Sequence, residues 1–172
     1  LGSEYYSANP LYPLSKTVAV FNTDALSPLG PTKDFTVSGN VGQDLQDMLV
    51  AKGRARGRVF TPDPNPEAGY FYRSDHFPFA KRGVPSISFG SGIDLIDGDK
   101  AAAAAWSEMY TRDMYHQPAD EYSDDWTMEG MLVDLTLLRD LGLDLANGKA
   151  WPEWKAGTEF KAIRDATKAE RK

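Results

Sequence analysis

Leu14-Ser15-Lys16-Thr17-Val18-Ala19-Val20-Phe21-Asn22-Thr23-Asp24 reads as a strand, because β-branched and aromatic residues fill its centre and a carboxylate closes it. Residues 18–21 are apolar without alternation. That pattern predicts a strand covered on both faces, as in the middle of an α/β sheet. Asp24 then falls at the strand's carboxyl end, the edge of an open α/β sheet where ligands and catalytic groups gather. The same carboxylate, ahead of Ser27-Pro28, also suits a turn or cap. On the strand pattern alone the two readings stand level.

The segments around it extend the α/β reading. Residues 3–8 end a helix at Asn9-Pro10, and residues 34–39 form a second short strand. Val41, Leu45, Met48 and Leu49 recur at helical spacing, which predicts an amphipathic helix to about Lys52. Arg58-Val59-Phe60-Thr61 is a third short strand, and Pro62, Pro64 and Pro66 mark an irregular loop. Ser74 can cap a short helix that Gly83 closes, with Asp75 in its first turn, before a buried strand over residues 84–89. Beside that cap, His76 among Phe77 and Phe79 reads more readily as a packed ring than as a catalytic one. Asp99 caps a helix through the alanine run to Trp106. A long helix over residues 123–146 carries Met128, Leu132, Leu135, Leu138 and Leu145 on one face and Val133, Leu137 and Leu141 on a second, so most of it should be buried. Trp151-Pro152-Glu153-Trp154 should dock on the body, and residues 159–172 form a charged, partly frayed helix. Strands and helices alternate, which favours α/β over other classes.

Composition narrows the function. At 172 residues the chain can bury one sizeable core, and 41% hydrophobic with 26% charged residues is an ordinary globular balance. A net charge of −6 argues against nucleic acid as a partner. The one basic run, over residues 52–58, suits the negative end of a helix and reads as a solvated helix end. With no cysteine, thiolate zinc sites, disulfides and cysteine nucleophiles are excluded. No apolar run approaches a membrane span.

Met114-Tyr115-His116-Gln117-Pro118-Ala119-Asp120-Glu121-Tyr122 holds one of the two histidines. Proline two residues after His116 places the imidazole on a loop. Strand-end Asp24 and loop His116 are a carboxylate and an imidazole that loops at one sheet edge can bring together, and zinc accepts both donor types. Two ligands do not make a hydrolytic zinc site, which has three protein ligands and a carboxylate base nearby. From the residues alone, a packed or locally paired histidine stays ahead of the metal reading.

Three blocks change that balance. Leu1-Gly2-Ser3-Glu4-Tyr5-Tyr6 with Lys16-Thr17-Val18-Ala19-Val20-Phe21-Asn22-Thr23-Asp24, then Arg73-Ser74-Asp75-His76-Phe77-Pro78-Phe79 with Gly83-Val84-Pro85, then Tyr115-His116-Gln117-Pro118-Ala119-Asp120-Glu121, together resemble the co-catalytic zinc aminopeptidases, family twenty-eight of the metallopeptidases. The resemblance implies a three-layer α/β/α sandwich with a mostly parallel central sheet and two zinc ions at its edge. It implies Asp24 as ligand of one zinc, His116 as ligand of the other, and Tyr115 as a catalytic residue stabilising the oxyanion. The block at Asp75 and His76 would border the site without ligating metal.

The family's first histidine ligand, its bridging aspartate and its Glu-Glu pair would lie upstream of Leu1. The resemblance therefore implies that residues 1–150 are the C-terminal part of a zinc peptidase catalytic domain, with 151–172 as an extension docking on it or fraying from it. Alone, such a chain lacks the general base and three of the five metal ligands, so it should bind zinc weakly and hydrolyse nothing. Its partners would be the N-terminal remainder of its own domain and a peptide substrate with a free amino terminus, cleaved through a water shared by the two metals. Two other readings remain on the same scaffold: a one-zinc enzyme resembling the glutaminyl cyclases, and a non-catalytic receptor or interaction module. A periplasmic or secreted location is the usual one for similar bacterial proteins.

Overall fold

A computed structural model describes residues 1–64 and 66–171. The strand that ends near Asp24 is shorter than its sequence pattern predicts. Leu14–Lys16 forms a 3-10 turn after Pro13, and only Val20–Asn22 (β1) joins the sheet. The Arg164 guanidinium donates to the Thr17 and Val18 carbonyls at 3.0 and 3.3 Å, so that backbone is satisfied by a side chain rather than a ladder.

The sheet also contains Asp34–Val37 (β2), Val59–Phe60 (β3) and Ser86–Ser91 (β4), in the order β1-β4-β2-β3. β1 pairs parallel with β4 and β2 parallel with β3, while β2 and β4 run antiparallel. The chain is an α/β protein with an open, mostly parallel sheet. Among the described residues β1 has one neighbour and all three of its residues are half-buried, so it lies at an edge. The strand covered on both faces is β4, buried from Ser86 to Phe89. Apolar continuity in residues 18–21 signalled the class correctly but not the position.

Alternation along β2 and β4 sorts the two faces. Phe35, Val37, Ile87 and Phe89 pack against Leu45 and Leu49 of one helix and Leu137, Leu138, Leu141 and Leu145 of another. These helices are Asp44–Ala55 and Glu129–Asn147. Ser86 and Ser88 turn the other way, toward the short helix Phe77–Ala80 and a second cluster of Phe71, Ala80, Trp154 and Phe160. Gly2–Ala8 packs on that short helix. In chain order the α-helices are α1 (Gly2–Ala8), α2 (Asp44–Ala55), α3 (Phe77–Ala80), α4 (Lys100–Met109), α5 (Glu129–Asn147) and α6 (Lys161–Ala166). Helical layers thus cover both faces of the sheet, as the α/β/α reading predicts.

The long helix departs from its sequence pattern. α5 starts at Glu129 rather than Ser123, and Met128, Leu132, Val133 and Leu135 on its first turns are exposed. A close approach marks the first turn: a Cβ at Gly130 would collide with the Gly30 carbonyl. Gly130→Ala should therefore destabilise the fold by ~1–3 kcal/mol through overpacking, although alanine gains ~1 kcal/mol in helix propensity. Denaturant unfolding measures it, and a more stable variant would refute this account of the contact.

The basic run does close α2, with Arg54 and Arg56 exposed, but Arg58 is buried and three of its cations are paired. Lys52 reaches Asp144, Arg56 reaches Asp140, and Arg58 pairs with Asp134, all three on α5. Arg164 of α6 is buried at 1% exposure between the Thr17 and Val18 carbonyls and the Trp151 ring, so α6 is not a simple charged coat.

Candidate active site

Asp24 is exposed two residues past the end of β1. Asn22 Nδ2 donates to its Oδ1 at 3.1 Å and to Ser74 Oγ at 2.8 Å. The Ser74 hydroxyl in turn donates to Asp24 Oδ2 at 2.6 Å. Both carboxylate oxygens are thus oriented by neutral donors, a short charge-assisted bond among them. Asn22 lies two residues back on the same strand, where side chains share a face, so its spacing is compatible with this contact. Ser74 had no sequence signal, since its contact spans 50 residues.

Ser74 does not cap α3, which shows no side-chain cap. The Asp75 carboxylate does not serve that helix either. Its Oδ1 accepts from Ser3 Oγ at 2.7 Å and ties α1 to this loop.

His76 is fully buried, edge-on to Phe71 at 4.8 Å, as the packing reading predicts. Neither ring nitrogen has a hydrogen-bond partner among the described residues. Burial pushes its pKa down to about 4, against the opposing pull of Asp24 and Asp75. The folded value lies below the ordinary 6.5, so the unfolded state binds more protons between them. Stability should then be complete above pH ~6.5 and fall by about 3 kcal/mol as pH drops to ~4, at ~1.4 kcal/mol for each pH unit between the two values. In His76→Leu that part of the loss should vanish in urea unfolding at pH 7 and 4.5. An equal loss in both proteins would contradict it.

His116 sits on a loop, as its flanking proline predicts. Before it, α4 is capped as expected by Asp99, whose Oδ1 accepts from Ala102 N at 2.6 Å. The helix then widens into a π turn over Tyr110–Met114, closed by Tyr115 N to Tyr110 O at 2.8 Å. Such turns concentrate at functional sites. His116 alone among the described non-glycine residues has a positive φ, 59°. Its ring stacks on Tyr115 at 3.9 Å, and both residues are exposed. A strained, left-handed residue of this kind persists where surroundings over-determine it.

A pocket of about 200 Å³ opens beside Asp24. Ala25, Leu26 and Ser27 form one wall, residues 90–93 another, and Trp106 and Tyr110 a third. Trp106 and Tyr110 stack at 5.2 Å, and Tyr110 lies 6.2 Å from the Tyr115 ring. The Tyr110 hydroxyl donates to Asp120 at 2.9 Å. Asp24 thus adjoins one wall, and the Tyr115–His116 pair adjoins another through Tyr110. No hydrogen bond or ring contact joins Asp24 to His116.

The model of Peptidase family M28 matches residues 1–137. The chain belongs to peptidase family M28. Searches of curated proteins and of solved structures returned no significant match. Membership makes this M28 chain a hydrolase of metallopeptidase type, from a family that is generally zinc-dependent.

The donor chemistry fits zinc in part. Asp24 offers an oriented carboxylate, and the ring nitrogens of His116 make no hydrogen bond to another described residue, so both remain available as ligands. Among the described residues no group of three or more His, Asp and Glu side chains could hold a metal.

Proposed function

We propose that this M28 chain forms part of a zinc aminopeptidase site, with Asp24 and His116 as metal ligands and Tyr115 beside the reacting carbonyl. The observation that carries the reading is the double orientation of Asp24 by Asn22 and Ser74 at the end of β1, next to a pocket. Ligating carboxylates are held in this way by outer partners, which fix their geometry.

Zinc, when bound, would act as a Lewis acid on the peptide carbonyl and acidify water. The chain's own residues supply binding and orientation. Asp24 and His116 would each hold a metal ion. Tyr115 brings a hydroxyl to the loop where charge would develop on the carbonyl oxygen. The pocket beside Asp24, with Leu26, Ile93, Trp106 and Tyr110 on its walls, receives an apolar side chain of the substrate's first residue. A hydrolytic zinc also needs a third protein ligand and a carboxylate base, and the reading takes these from outside the described residues.

Substrates with free and blocked amino termini test the reading. The full-length protein should release aniline from leucyl-anilide and leave the N-acetylated compound intact. Equal cleavage of both would replace the exopeptidase reading. Cyclisation of an N-terminal glutamine without anilide hydrolysis would favour a glutaminyl-cyclase-like reaction instead.

A further inference from the structure

The buried ion pair between Arg58 and Asp134 is not used by the site described above, yet one of its atoms points there. Asp134 lies on α5 at 2% exposure. Its Oδ1 meets Arg58 Nη1 at 2.6 Å. Arg58 is itself fixed, donating through Nη2 to Thr32 Oγ1 at 3.1 Å and to the Asp34 carbonyl at 2.6 Å. The second carboxylate oxygen of Asp134, Oδ2, accepts from Ser91 Oγ at 2.7 Å. Ser91 Oγ then accepts from the Ser27 N–H at 3.1 Å. Ser27 and Ser91 both line the pocket beside Asp24.

The directions of these bonds matter. The one proton of the Ser91 hydroxyl is committed to Asp134, and the same oxygen takes up the Ser27 N–H. Two polar groups in the pocket wall are therefore satisfied away from the cavity. An apolar side chain entering it strands neither of them, which would otherwise oppose binding. The chain also ties the segment just past Asp24 to α5, so the wall cannot drift from the strand end.

We propose that Asp134, anchored by Arg58 and acting through Ser91 and Ser27, is a positioning residue that makes this pocket selective for apolar side chains. The proposal rests on the pocket being the subsite for the substrate's first side chain. Asp134 touches no substrate.

The test uses the full-length protein and two probes, leucinamide and alaninamide. Their binding is read from the indole N–H resonance of Trp106 in the pocket wall, assigned by Trp106→Phe. The wild type should bind leucinamide more tightly. Ser91→Ala removes the link while leaving the ion pair intact, and strands the Ser27 N–H. It should lower the leucinamide-to-alaninamide preference about three- to tenfold, the worth of one hydrogen bond. Asp134→Asn should lower it in the same direction, because an amide can donate to Ser91 and free its hydroxyl toward the cavity. Ser91→Thr keeps the hydroxyl and should restore the preference, which a merely structural role would not require. An unchanged ratio in Ser91→Ala, or no Trp106 shift with either amide, overturns the proposal. Anilide hydrolysis on the same samples reports separately on the peptidase reading, since the binding ratio needs no turnover.

Discussion

Asp24→Ala should strip one zinc from the full-length protein and lower anilide hydrolysis by more than ~10²-fold. Outer partners of a metal ligand are worth roughly 10–100-fold in metal affinity or activity. Loss of the ligand itself must cost more. Ser74→Ala supplies the internal scale: it removes the 2.6 Å bond that orients Asp24 Oδ2 but leaves the carboxylate in place. It should fall between wild type and Asp24→Ala, near a tenfold loss. His116→Ala should resemble Asp24→Ala in metal content, because the proposed function makes its imidazole a ligand as well. Metal analysis on the purified variants measures all three. Unchanged zinc in both Asp24→Ala and His116→Ala would refute the ligand assignment.

The second large effect concerns the far face of the sheet. Trp154 is 1% exposed, packs at 4.8 Å on Phe160, and donates from Nε1 to the Gly83 carbonyl at 2.9 Å. Gly83 has φ 86° and abuts the α6 backbone, so the indole closes a joint between the α3 loop, α6 and the chain entering β4. Trp154→Ala removes one of the largest buried side chains and orphans a carbonyl. The expected loss is ~3–5 kcal/mol, or roughly 10 °C in a chain of this size. Trp154→Phe keeps most of the volume and should lose less than half of that. Thermal unfolding followed by circular dichroism separates the two. A melting temperature within a degree of wild type for Trp154→Ala would show that residues 151–160 are not part of the core.

Local chemistry explains what was legible in the sequence. The Asp99 cap, the apolar stripe of α2, the buried strand after Pro85 and the loop position of His116 each depend on a few neighbouring residues. The α/β class follows from their alternation. Features set by distant partners were not legible. Arg58 and Arg164 look like surface charges until Asp134 on α5 and the carbonyls of residues 17 and 18 are brought against them. Residues 18–21 carry the apolar pattern of a central strand, yet β4 takes that place between β1 and β2. The exposed leucines on the first turns of α5 continue a helical stripe beyond the part that meets the sheet.

The site divides in the same way. Asp24, Tyr115 and His116 are proposed from their motifs, whereas what surrounds them was not legible there. Ser74, read as a helix cap, instead holds a carboxylate 50 positions away. The pocket draws its walls from three separate segments, joined only by the fold. Its two ends adjoin the two proposed ligands, a relation that no spacing in the chain reveals.

The most direct test follows zinc content and leucyl-anilide hydrolysis together on one preparation of the full-length protein, stripped with chelator and then reloaded with zinc. The account predicts that activity disappears as the metal leaves and returns in step with zinc. Hydrolysis that continues undiminished in fully metal-free protein would contradict it.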